Sequence, residues 1–164
     1  MRKLKSAPLV AGIVLLAACA GPQKSQQVRV EQTPAVTAPA LSQTTQESVV
    51  GTARKMLGAP YRYGGAGPSG FDCSGLVSYA YRSGGVQAPR TSSEQFRQSN
   101  RVPLQNLQPG DILFFRLSPL EVSHVGIYDR DGRFIHASSS GKQVSYASLD
   151  NPYWREHLIG AGRF

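Results

Sequence analysis

Cysteine and histidine are scarce in this 164-residue chain, with two of the first and three of the second. Cys73 stands in the stretch Phe71-Asp72-Cys73-Ser74-Gly75, between two glycine-rich runs. A cysteine nucleophile needs a setting that favours the thiolate and a base within reach. Asp72 is a good N-cap residue, so a helix is predicted to start at Asp72 or Cys73 and to carry the thiol in its first turn. The positive end of the helix dipole and its free N–H groups would favour the thiolate there and could bind an oxyanion. The approach Gly64–Gly70 would leave room for an extended substrate. The plainer alternative is a buried, inert core cysteine.

The histidines supply the candidate base. His124 lies in SHVGIY and His136 in FIHAS, two apolar runs joined by the turn sequence DRDG. Side chains alternate along a strand, so His124, Gly126 and Tyr128 share one face, and Phe134 and His136 share one face of the returning strand. A three-residue loop of Arg130, Asp131 and a left-handed Gly132 pairs Tyr128 with Phe134 and Gly126 with His136. Both imidazoles then stand on the same face, diagonal to each other; a slip of one residue would separate them. In that register His124 can take the Cys73 proton and His136 can hold its ring. His157 has no such company and reads as a packed or surface residue. Cys73, His124 and His136 could instead be three zinc ligands, but no close C-x-x-C or H-x-x-H pairing supports a metal site.

The elements that must position these residues follow from periodicity. ESVVGTARKMLG, residues 47–58, carries an apolar helical stripe through Val49, Val50, Ala53, Met56 and Leu57, stopped by Gly58 and Pro60. The second helix runs from Asp72 or Cys73 to Ser83, and a third spans TSSEQFRQS, with capping-box spacing at Thr91/Glu94 and Ser92/Gln95. After the turn LQPGD come DILFF, SHVGIY, RFIHAS, QVSYASL and a last strand, LIGAGRF. Helices first and strands later predict an α+β fold, an antiparallel sheet with N-terminal helices packed on it.

The N-terminus is read separately. Arg2, Lys3 and Lys5 precede an apolar run from Pro8 to Ala18, the pattern of a signal peptide over 1–18. That run is about half of the ~20 residues needed to span a bilayer. Leu16–Cys19, LAAC, resembles the lipobox of bacterial lipoproteins, which implies cleavage before Cys19 and its acylation (palmitate among the chains), giving a stable anchor. Ala20, rather than aspartate, after the cysteine implies the outer membrane, with the domain facing the periplasm. With Cys19 lipidated, Cys73 has no partner for a disulfide in an oxidising compartment. From Ala20 to Thr44 the chain is rich in Gln, Thr, Pro and Ala and reads as a disordered tether. It would reach roughly 30 Å as a coil and ~75 Å when extended. Residues 45–164 suit one domain. Removing the three signal-segment cations lowers the formal charge from +8 to +5, which suits an anionic envelope polymer as well as plain solubility. No interleaved basic and aromatic pattern suggests nucleic acid.

YRYGG, FDCSG, PRTS, LQPGD, SHVGIY and FIHAS, in that order, resemble the NlpC-type bacterial cell-wall cysteine peptidases, across essentially all of 45–164. The small lipoprotein arrangement also occurs in that family. The resemblance implies a papain-like α+β fold and a catalytic triad of Cys73, His124 and His136. It also implies hydrolysis of amide bonds in peptidoglycan stem peptides or cross-links, without a metal or organic cofactor. Tyr61 matches the family tyrosine upstream of the nucleophile, where its hydroxyl could serve the oxyanion or the substrate carbonyl. Asp72 and Ser74 match positions that can bind polar groups of the stem peptide. Arg90, from its residue type, could pair bidentately with a substrate carboxylate. A catalytically silent wall-binding lipoprotein and a papain-like acyltransferase are the competing readings; the sequence names no protein partner.

Overall fold

A computed structural model describes residues 42–119 and 122–164. The expected signal segment, Cys19 and the tether up to residue 41 lie outside the described residues. The first helix, α1, is Gln43–Lys55, so it starts four residues before the expected segment 47–58 and inside the stretch expected to be tether. The reason is local: the Ser42 side chain accepts from the Thr45 N–H and caps a polar, solvent-facing first turn. Periodicity cannot see such a turn because it buries nothing. The helix also stops earlier than expected, with Met56 as its C-cap and Leu57 exposed.

α2 is Cys73–Ser83, capped by Asp72 through the Gly75 N–H. α3 is Ser92–Gln98, and its cap is the Thr91/Glu94 pair: the Glu94 N–H donates to Thr91 Oγ1, whose hydroxyl donates to the Glu94 carboxylate. The strands are β1 Ala66–Gly67, β2 Gly70–Phe71, β3 Asn100–Val102, β4 Ile112–Phe115, β5 His124–Arg130, β6 Arg133–Ser138, β7 Gln143–Ser148 and β8 Leu158–Arg163, with a short α4, Pro152–His157, before the last. β1 and β2 form a small hairpin; the other six form one antiparallel sheet in the order β3-β8-β4-β5-β6-β7. The α+β class with an antiparallel sheet therefore holds. β8 does not lie at an edge: it inserts between β4 and β3, a strand too short and polar to stand out in the sequence.

The sheet separates two apolar clusters. One face carries Ile112, Phe114, Val125, Ile127, Ile135, Ala137 and Val144 and packs against α1 and α2 through Val49, Val50, Ala53, Leu76, Val77 and Ala80. The other carries Leu113, Phe115, Phe134 and Ala161, with Trp154 of α4 packed on them. Because both faces are covered, β5 is buried from His124 to Ile127 rather than alternating in and out. No helix among the described residues is long and apolar enough to cross a membrane.

One buried ion pair ties the start of β4 to the end of β8. Arg163 Nε and Nη2 donate to Asp111 Oδ1 and Oδ2 at 2.6 and 2.8 Å, and Asp111 is 0% exposed. The Gln108 N–H donates to the same carboxylate, and the Tyr81 hydroxyl of α2 donates to the Gly110 carbonyl beside it. Removing one partner leaves the other charge buried alone. Asp111→Ala is therefore expected to destabilise the fold by about 3–5 kcal/mol, measured as a lower denaturant midpoint. An unchanged midpoint would show that the pair is not the tie described.

Candidate active site

The imidazoles are brought together by one turn and one bulge. Asp131 and Gly132 form a two-residue turn with φ of +52° and +71°, the signature of a type I′ hairpin. The expected loop was one residue longer. Arg130 pairs with Arg133, and Tyr128 pairs with Phe134, so Asp129 is an extra residue bulged out of β5. The bulge absorbs the difference, and the expected Tyr128–Phe134 register results. His124 Nε2 and His136 Nδ1 then lie 2.9 Å apart. Their ring centroids are 5.1 Å apart with planes at 89°.

Trp154 covers this pair. Its ring stacks on His124 at 5.5 Å and meets His136 edge-on at 4.9 Å, while Phe115 and Phe134 lie 5.0 and 5.3 Å from it. His124 is 8% exposed and His136 4%. Burial, followed by the neighbouring His136 ring, pushes the His124 imidazole down to about 3. Burial alone pushes His136 down to about 4. Both rings are therefore neutral at pH 7, which lets one donate to the other. Trp154 did not emerge from the sequence, although it is the chain's one tryptophan and the Asn151-Pro152 start of its helix is a readable capping signal.

Cys73 is the first residue of α2, half-buried and free. Its thiol faces the N–H of Val125, the residue after His124. Burial pushes the thiol up; the Val125 and Ser74 N–H groups pull it down, and burial wins, with Asp72 adding to it. The helix N-terminus was expected to favour the thiolate. It does pull that way, but desolvation in the closed site is the larger effect.

Tyr61 is held in a backbone ladder. Its N–H donates to the Lys142 carbonyl, the Gly58 N–H donates to Val144, and the Phe71 N–H donates to Pro60. Burial, then the nearby Cys73 and Asp72, raise the Tyr61 phenol, so it keeps its proton. Tyr63, two residues on, is 91% exposed at the tip of the same segment. The glycines here serve packing. A Cβ on Gly75 would stand 2.0 Å from the Gly65 carbonyl oxygen, and one on Gly65 would stand 2.3 Å from that of Gly70. Gly65 and Gly75 thereby let the hairpin press onto the first turn of α2, while Gly64 and Gly67 of the same run have no heavy atom within 4 Å of a Cβ position.

Asp72 accepts from the Gly75 and Gly64 N–H groups, from Ser74 Oγ and from Arg90. Burial raises its carboxyl, but Arg90 and the Gly75 N–H more than offset this and hold it below the ordinary range. Arg90, considered for a substrate carboxylate, is a bidentate partner of Asp72 at 2.9 and 2.6 Å, and it also donates to Ser74 Oγ at 3.0 Å. His157 stays apart from the pair, with Nδ1 2.7 Å from the Tyr153 carbonyl oxygen. Among the described residues, no group of three or more His, Cys, Asp or Glu side chains is placed to hold a metal ion.

Comparison with known proteins completes the description. Residues 58–163 match the NlpC/P60 family model. The chain is 43% identical over 125 residues to the gamma-DL-glutamyl hydrolase of Bacillus subtilis (strain 168), covering 74% of this chain and 30% of that protein. It is 40% identical over 114 residues to the murein DD-endopeptidase MepH of Escherichia coli (strain K12), covering 66% of this chain and 42% of that protein. The chain thus matches less than half the length of either relative. A solved lipoprotein-like NLP/P60 structure from Staphylococcus aureus superposes with a TM-score of 0.71 at 34% identity, over 79% of this chain and 44% of that one. By the family model and by these relatives, the chain belongs to the NlpC/P60 family.

Proposed function

We propose that the chain is a peptidoglycan endopeptidase working by a Cys-His-His thiol mechanism. The observation that carries this reading is the His124 Nε2–His136 Nδ1 hydrogen bond, together with a helix-terminal cysteine whose thiol meets the N–H of Val125, the residue after His124. Relatives named gamma-DL-glutamyl hydrolase and murein DD-endopeptidase support the substrate class. The two names specify different bonds, and the second alone names murein; the proposed target is an amide bond in the stem peptides of the wall or in their cross-links.

With His136 Nδ1 as acceptor, His124 carries its proton on Nε2, which leaves Nδ1 to take the proton of Cys73. Thiol and imidazole are both neutral at rest, so the proton moves as the sulfur attacks the carbonyl, rather than beforehand. A positioned base of this kind contributes ~10²–10⁴-fold. The phenol of Tyr61, still protonated, donates to the oxyanion, and the N–H groups of the α2 terminus stand nearby. His124 returns the proton to the leaving amine, and water then hydrolyses the Cys73 thioester. His136 and Trp154 keep the ring in one tautomer and away from solvent. Asp72, Ser74 and Arg90 form a closed polar cluster at the mouth, offering substrate a rigid rim in place of an unpaired charge. The proposal includes an outer-membrane anchor through lipidated Cys19, supported by the basic residues, apolar run and LAAC of the N-terminus.

The experiment is digestion of purified sacculi by the chain beside its Cys73→Ser twin, with released muropeptides identified by mass spectrometry. New fragments from the parent alone are expected, and their masses name the bond. Fragments from neither, with both proteins pelleting with the wall, would favour a binding role; fragments from both would exclude Cys73 as nucleophile.

The buried imidazoles also set a pH dependence. Their pKa values fall from 6.5 in the unfolded chain to about 3 and about 4 in the fold. The unfolded state therefore binds more protons below pH ~6.5, and the stability they confer is present above that pH and lost as pH falls toward 3–4. Between pH ~6.5 and 5, above most carboxylate titration, the Tm should decline steadily, and less steeply in His136→Asn. A flat Tm in that window would show that the rings are not buried in neutral form.

A further inference from the structure

α2, α3 and the loop between them meet at one polar point next to the nucleophile. Gln95 of α3 is 0% exposed. Its Nε2 lies 2.7 Å from the Pro89 carbonyl oxygen, 3.0 Å from that of Ser74 and 3.3 Å from Ser78 Oγ. The Ser78 hydroxyl is shared between the same two carbonyls, at 2.7 and 3.0 Å. Two carbonyl oxygens facing one end of the amide fix that end as the NH₂, since an amide oxygen there would be repelled. The other end, Oε1, has no hydrogen-bond partner among the described residues. A buried amide with one end unpaired is a cost that a methionine of similar size would avoid. What the amide supplies in return is its two donors.

Those donors reach the residue after Cys73 and the loop that carries Arg90. Ser74 follows the nucleophile, and Gln95 holds its carbonyl. Pro89 leads directly into Arg90, whose guanidinium binds the Asp72 carboxylate and the Ser74 hydroxyl. Asp72 and Ser74, the two neighbours of the thiol, are thus both held from the 89–95 segment. The Ser78 hydroxyl reaches the same carbonyls but carries one proton for two acceptors. The Ser74 carbonyl also belongs to the helix ladder, so without Gln95 it is the Pro89 carbonyl, and with it the loop's tie to α2, that is left with this single donor.

We infer that Gln95 is a positioning residue. It seats the first turn of α2, so that the Cys73 thiol stands against the N–H of Val125, the residue after His124. It acts through backbone carbonyls and touches none of the reacting groups. The inference rests on the peptidase reading for its turnover readout, but its second readout is the reactivity of the thiol itself.

The test uses the chain with Cys19→Ala, which leaves Cys73 as its single thiol, as parent. Gln95→Met removes both donors at similar volume. Gln95→Asn, too short to span the two carbonyls, serves if the first variant does not fold. Ser99→Ala deletes another buried polar atom without a partner and is the control. Circular dichroism and thermal unfolding establish that each variant is folded at the assay temperature. The expected result is a kcat on muropeptides lower by roughly 10-fold or more, with KM little changed, because geometry rather than affinity is lost. Alkylation of Cys73 by iodoacetamide should slow by about fivefold or more as the thiol leaves the N–H that favours its thiolate. Ser99→Ala should match the parent in both. Parental turnover and alkylation in a folded Gln95 variant would overturn the inference and make Gln95 a packing residue. A parent that is alkylated readily but cleaves no muropeptide would contradict the peptidase reading; the alkylation ratio then decides the role of Gln95 by itself.

Discussion

The pairing of His124 with His136 rests on the register between β5 and β6, and that register rests on Asp129. Asp129 is the one extra residue of β5, and it is buried. Its carboxylate is bound by Arg54 of α1 and by the Tyr146 hydroxyl of β7 at 2.8 Å. Burial raises this carboxyl, and the Arg54 and Tyr146 hydrogen bonds offset it and hold it below the ordinary range. The bulge is therefore clamped from the helix layer and from β7, which lies beyond β6 in the sheet. Strand side chains have a period of two, so a slip of one residue would send His136 to the other face of the sheet and leave His124 without a partner. A single clamped residue decides whether the two imidazoles can touch.

The second constraint is burial. Trp154, Phe115 and Phe134 exclude water from the imidazoles and keep them neutral, and burial of Cys73 against the helix-side cluster raises its thiol. The helix terminus and the Val125 N–H oppose this without overcoming it. Under the proposed mechanism the thiolate forms in the act of attack, next to donors already in place. At the mouth, Arg90, Asp72 and Ser74 satisfy one another, and Gln95 fixes that cluster from beneath.

Legibility in the sequence followed the range of the interactions. α2 and α3 were readable because their caps are encoded within four residues, at Asp72–Gly75 and Thr91–Glu94. β4 to β7 were readable from apolar runs separated by turn residues. The shared face of His124 and His136 could be derived although the loop length was wrong, because the turn type and the bulge compensate. The start of α1 was missed because its first turn is polar, and β3 because it is three residues long. The role of Trp154 depends on contacts with residues 18 or more positions away, and that of Gln95 on carbonyls that carry no sequence signal. The destination of Arg90 could not be read either, since its partner lies 18 residues upstream on another element.

The measurement that tests the central claim most directly is the ¹⁵N NMR of the three histidines in the folded chain at neutral pH. The account predicts that His124 carries its proton on Nε2 and none on Nδ1. It also predicts that His136 accepts at Nδ1 and that neither ring becomes charged as the pH is lowered to about 5, well below the ordinary histidine pKa. A proton on His124 Nδ1, or an imidazolium in either ring within that range, would contradict it. The pair could not then present a free base to Cys73.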